Sequence, residues 1–132
     1  MKYMLDTNIC VYIIKKKPPQ ILKKFMDFNL SDICISSITL AELEFGACKS
    51  NNPTKNKLAL FIFLAGIRIL PFDDVAAREY GDIRAILERR GTPIGANDLL
   101  IAAYARSLQL TLVTNNVREF ERVKGLHLEN WV

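Results

Sequence analysis

Apolar residues follow two rhythms along this chain. Short β-rich runs are bounded by turns, and longer stretches repeat their apolar positions at helical spacing. Lys2 to Leu5 reads as a short buried strand, and Ile33 to Ser36 as a second. Ile69 and Leu70 form a short strand before Pro71, Leu110 to Thr114 forms a well-marked one, and Leu126 to Leu128 a last. Between them Asn8 to Ile14 has helical potential, stopped by Lys15-Lys16-Lys17-Pro18-Pro19. Ile21, Leu22, Phe25 and Met26 define a second helix. Ser37 or Thr39 caps a third, running to about Cys48 with Leu40, Leu43 and Ala47 on one face. After the turn at Asn51 to Thr54, Lys55 to Ile67 reads as a helix apolar nearly all round. Such a helix is either buried or covered by a partner. Asp73 or Asp74 caps the next, with Ala76, Tyr80, Ile83 and Leu87 as its stripe and Gly91-Thr92-Pro93 as its end. Ala96 to Leu108 is the last helix.

Strands alternating with helices predict an α/β fold, a parallel sheet with helices on both faces. The length of 132 residues and the lack of a linker or repeat predict one domain over residues 1–132. Composition refines this only at the margins. The net charge of +4 favours an acidic partner such as nucleic acid. Cys10, Cys34 and Cys48 are an odd count in apolar surroundings without metal-ligand spacing, and read as reduced buried thiols. A lone His127 argues against histidine-based zinc chemistry. The start lacks a leader pattern, and "LALFIFLAGI" at Leu58 to Ile67 is too short to span a bilayer. A cytoplasmic protein with no membrane contact is the expectation.

Chemistry enters through the strand ends. In a parallel sheet, ligand sites form outside the C-terminal edge. Asp6 follows the first strand directly, and Glu42 lies in the helix after the second. Asp98 opens the helix beginning near Ala96, and Asn115, Asn116 and Glu119 follow "TLVT". Each has an ordinary explanation taken singly: Asp6 as a helix cap, Glu42 as a solvated boundary position, Asp98 as a dipole partner, Glu119 as a surface acid. Together they crowd one edge. Two carboxylates ~5 Å apart repel by about 3 kcal/mol at an effective dielectric near 20. Clustered oxygens without His or Cys select a hard divalent cation, Mg²⁺ or Mn²⁺. Such an ion activates water and neutralises phosphate charge, which suits phosphodiester hydrolysis, with one carboxylate able to orient the water. Thr7 and Ser37 are candidate hydrogen bonders to phosphate or to the acids; as lone residues they are more often cap and turn groups.

The blocks "MLDTN", "SSITLAELEFGA", "IGANDLLIAAYA" and "LTLVTNNVREFERVKGLHLENW" make the chain resemble a PIN-domain ribonuclease, and more narrowly the VapC toxins of toxin–antitoxin pairs. The resemblance implies a three-layer fold, with Asp6, Glu42 and Asp98 as the acidic metal-binding triad. It favours Glu42 over the nearby Glu44. Relatives often carry an Asp where this chain has Asn116 or Glu119, so Glu119 is the implied fourth acid. Thr114, Asn115 and Asn116 are implied supports, and Thr7, Asn8 and Ser37 fall at positions that are often polar. The same resemblance implies an Mg²⁺- or Mn²⁺-dependent endoribonuclease that cuts tRNA, with the initiator tRNA anticodon loop a possible target. It also implies a homodimer inhibited by a VapB-type antitoxin, which carries the hetero-oligomer to operator DNA. Three other readings stay open: a non-catalytic binding module, a DNA-directed nuclease, and a response-regulator-like phosphoacceptor. The last lacks the expected Lys after "TLVT".

Overall fold

The computed structural model describes residues 1–132. Its centre is a five-stranded, all-parallel sheet in the order β3-β2-β1-β4-β5. The strands are β1 (Tyr3–Leu5), β2 (Ile33–Ser36), β3 (Arg68–Leu70), β4 (Thr111–Val113) and β5 (His127–Glu129). Tyr3 pairs with Ile33 on one side and Thr111 on the other, which makes β1 the central strand. The helices are α1 (Thr7–Lys15), α2 (Pro19–Met26), α3 (Ser37–Lys49), α4 (Pro53–Leu64), α5 (Asp74–Arg89), α6 (Ala96–Ser107) and the short α7 (Val117–Phe120).

Alternation along the strands builds a core on each face. Met4, Cys34 and Leu112 turn toward one face, against Ile83 and Leu87 of α5 and Ile101 and Ala105 of α6. Leu5, Ile33, Ile35 and Val113 turn the other way, against Ile9 and Ile13 of α1, Ile21 of α2 and Leu43 of α3. These strands are buried on both faces, as expected of a parallel sheet, and so read as continuous apolar runs. Trp131, just past β5, closes one end by stacking on Phe28 at 4.7 Å and meeting the edge of Tyr3 at 5.5 Å.

Several boundaries differ from the sequence expectation. The cap of α3 is Ser36, whose Oγ accepts from the Ile38 amide at 3.0 Å, rather than Ser37 or Thr39. Asp73 caps α5. The α4 helix begins earlier, at Pro53, because Asn52 accepts from the Lys55 amide and proline suits a first helical position. It stops at Leu64, before Gly66 turns the chain at a φ of 86°. Cys48 is exposed, a correction: Leu43 and Ala47 face inward one turn apart, and the next residue rotates outward. The single 3₁₀ turn Leu30–Asp32 and α7 had no signal of their own, being only three and four residues long. No helix is long and apolar enough to cross a membrane.

Candidate active site

The sheet order reverses at β1. The chain leaves it for β2 and β3 on one side, then returns to β4 on the other. A crevice opens at such a switch point, outside the C-terminal strand ends. Asp6 sits at the end of β1 and Thr114 at the end of β4, and they bridge the crevice: Thr114 Oγ1 donates to Asp6 Oδ2 at 2.5 Å. The other Asp6 oxygen accepts from the Ile9 amide at 2.9 Å, so the residue does cap α1. Both residues are buried, at 4% and 0% exposure. Burial raises the Asp6 pKa, and the Thr114 and Ile9 hydrogen bonds oppose that rise.

Glu42 reaches the same crevice from α3. Thr7 Oγ1 donates to its Oε1 at 2.5 Å, and Asn97 Nδ2 to its Oε2 at 3.3 Å. Glu44 is exposed on the far side of the helix. Glu119 enters from α7. Asn116 Nδ2 donates to its Oε2 at 2.7 Å and the Gly95 amide to its Oε1 at 3.1 Å. These bonds, the Asn116 one foremost, hold the Glu119 carboxyl below its ordinary range. Asp98, in the first turn of α6, is half-buried and accepts no hydrogen bond of this kind. Its pKa is pushed up to about 6, first by burial and then by the negative charges of Glu119, Asp6 and Glu42. One group therefore feels all three of the others, which makes the four acids a single electrostatic unit.

No protein cation forms an ion pair with this unit, and the Arg122 charge is only the least of the influences on Glu119. The ion pairs of the chain, Arg78–Asp74, Arg84–Glu88 and Arg106–Glu79, all lie elsewhere. No three His, Cys, Asp or Glu side chains close tightly enough to cage a metal by themselves. The donor set is carboxylate and amide oxygen, which suits a hard divalent cation that retains water. Cys10, buried behind Asp6, has its thiol pushed well above the ordinary value by burial, and is not a nucleophile. Thr7 and Glu42 also line a groove of about 290 Å³ that runs between α1, α3 and α4 past Val11, Gly46 and Leu60.

Residues 3–126 match the PIN domain family. The chain belongs to the PIN-domain family. Among its PIN-domain relatives is the ribonuclease VapC2 of Haemophilus influenzae, 50% identical over 100% of this chain and 99% of that protein. Another is the tRNA(fMet)-specific endonuclease VapC of Shigella flexneri, 49% identical over 99% of this chain and 98% of that one. The DNA-bound VapBC structure from Salmonella typhimurium matches with a TM-score of 0.94 at 48% identity, covering 100% and 99% of the two chains. The chain is thus a PIN domain of the VapC ribonuclease group, the toxin component of VapBC toxin–antitoxin systems. PIN nucleases as a group depend on divalent metal.

The acids expected from sequence meet in this crevice, and Thr114, Thr7 and Asn116 stand beside them as hydrogen-bond partners. Others do not join. Ser37 Oγ accepts from the Phe72 amide at 3.1 Å, tying α3 to the segment after β3. Asn115 is exposed and accepts from Asn130 at 3.3 Å. Asn8 is exposed in the first turn of α1 with no side-chain hydrogen bond to the acids. Sequence reasoning missed Asn97 and Gly95, which hold Glu42 and Glu119. The only signal for them was adjacency to Asp98 in "GAND".

Proposed function

We propose that this PIN domain, spanning residues 1–132, hydrolyses RNA phosphodiester bonds with Mg²⁺ or Mn²⁺ held by Asp6, Glu42 and Asp98. One observation carries the assignment: Asp98 has no hydrogen-bond donor and no cationic partner where three other carboxylates converge. When bound, the ion supplies Lewis acidity toward a phosphate oxygen and the attacking water. The chain's own groups prepare the place. Thr114 and the Ile9 amide fix Asp6 so that its charge faces the crevice without rotating. Thr7 and Asn97 do the same for Glu42. Glu119 adds charge at the rim. Its low proton affinity suits it to balancing charge and orienting water rather than to taking a proton.

The substrate class is tRNA, with initiator tRNA the first candidate. In support, the Shigella and Salmonella relatives, at 49% and 48% identity, are named tRNA(fMet)-specific endonucleases. A VapB-type antitoxin restrains the activity, and the toxin pairs as a homodimer within a complex that reaches promoter DNA through the antitoxin. The DNA-bound VapBC complexes of Rickettsia felis and Salmonella typhimurium, with TM-scores of 0.93 and 0.94, support this assembly. The work is cytoplasmic, where tRNA is found. Incubating purified toxin with initiator and elongator tRNAs, with Mg²⁺, Mn²⁺ or chelator, tests the reading. Metal-dependent cuts with 5′-phosphate ends are expected, abolished in Asp6→Ala. Unchanged cutting by Asp6→Ala, or 2′,3′-cyclic phosphate ends, would overturn it.

A further inference from the structure

Past Glu119 along the chain, the loop after α7 meets the end of α5 and the Arg106 side chain of α6. They enclose a shallow depression of about 40 Å³. Arg90, Arg106, Arg122 and Lys124 line it, and no acid does. Its floor includes the buried side chains of Ile83, Leu87 and Val123. Arg106 is neutralised by Glu79 at 2.6 Å, and its Nη1 donates to the Lys124 carbonyl at 3.0 Å, which fixes the loop. Arg122 gives one N–H to the Pro93 carbonyl at 2.9 Å and leaves the rest of its guanidinium to solvent. Arg90 and Lys124 are exposed and belong to none of the ion pairs. Arg90 at the end of α5 and Arg122 and Lys124 on the loop after α7 therefore bring three cations together outside any ion pair. A preformed set of that kind attracts a polyanion.

Position selects which polyanion. The Arg122 amide donates to the Glu119 carbonyl at 3.2 Å, so the patch begins one turn from the acid cluster. Arg122 also pins Pro93, two residues before the Gly95 that holds Glu119. A carboxylate centre repels the phosphate chain it must cut, and a cationic flank that begins at Arg122, next to Glu119, offsets that repulsion. We infer that Arg90, Arg122 and Lys124 form a phosphate-holding flank that binds the RNA backbone outside the scissile bond. This inference rests on the ribonuclease reading.

The test uses the full-length toxin and the doubly charge-reversed variant Arg90→Glu with Lys124→Glu, residues outside the acid cluster. Arg90→Gln with Lys124→Gln serves as a milder second variant. Binding of a labelled tRNA in chelator is measured from 50 to 200 mM salt, and cleavage in Mg²⁺ is measured on tRNA and on a dinucleotide. Charge reversal should weaken tRNA binding about tenfold or more at 0.1 M salt. Loss of two phosphate contacts should also lower the slope of log K against log salt by about 1.4. The Gln pair should show the same slope change. The value of kcat/KM on tRNA should fall in step, with kcat and dinucleotide cleavage unchanged. Unaltered tRNA affinity and slope in both variants would overturn the inference. So would a matching loss on the dinucleotide, which places the effect inside the acid cluster, or loss of antitoxin binding alone, which makes the patch a protein contact. Failure of the underlying reading looks different: the wild type itself then cuts neither tRNA nor dinucleotide.

Discussion

Thr114 serves two neighbours with one hydroxyl. It donates to Asp6 Oδ2 and accepts from the Asn116 amide at 2.9 Å, linking the end of β4 to both Asp6 and the partner of Glu119. Thr114→Val keeps the shape and removes both bonds. Activity should fall about 10- to 100-fold, as for other residues that orient ligands. Stability should fall by about 1–2 kcal/mol, read by urea unfolding beside the cleavage rate. Asp98 gives the opposite sign. Its folded pKa of about 6 lies above the ordinary 3.8. Between those values the metal-free folded state binds the proton more than the unfolded state does. Asp98 therefore makes stability fall as pH rises from about 4 to about 6, and the deficit persists above. Asp98→Asn should abolish cleavage, yet melt higher than metal-free wild type at pH 7 and no higher at pH 4. A thermal-melt series across pH checks this, and equal melting at pH 7 would refute the crowding of charge. Asp6 and Asp98 were legible as a strand-end and a helix-start position, whereas the choice of Glu42 over Glu44 and of Glu119 came from the motif blocks. The partner of Ser37 was not legible and Asn97 was missed for one reason. Which neighbour a polar side chain meets is set by the other segment, Phe72 for Ser37 and Glu42 for Asn97.

At the scale of the element, α4 is the helix whose role the sequence left open. Its second half, Leu58 to Leu64, is apolar on every side, and the fold uses only part of that. Leu60 is 3% exposed and sits in the core against α1 and α3, whereas Phe61 is 74% exposed and Leu58 and Ile62 are also in solvent. A contiguous apolar face of this kind marks an interaction surface. Two substitutions one residue apart should separate the roles. Leu60→Ala should cost about 2–4 kcal/mol in urea unfolding of the toxin alone. Phe61→Ser should change that stability by no more than about 0.5 kcal/mol, while weakening self-association or antitoxin binding at least tenfold by calorimetry. If Phe61→Ser leaves both associations intact, the face serves neither partner.

Over the whole molecule, charge is divided. The acid cluster forms no ion pair with a protein cation, while the chain as a whole carries +4. A divalent ion that binds only the folded site should therefore raise the melting temperature of the wild type as RT ln(1 + [ion]/Kd) requires. The same titration on Asp98→Asn should give a much smaller shift, and equal shifts would mean the ion binds elsewhere. The sequence by itself determined the alternation of strands and helices, the parallel sheet with two buried faces, and the family. Periodicity and turn chemistry are local, and the four motif blocks keep their order and spacing along the chain. Tertiary structure alone decided the strand order that puts β1 beside β4. With it came the bridge from Asp6 to Thr114 across 108 positions of chain. It also decided that α4 stays half uncovered and that Arg90, Arg122 and Lys124 line one depression. Those facts depend on which distant segments pack together, a choice made by the summed burial of both cores and recorded in no single stretch of residues.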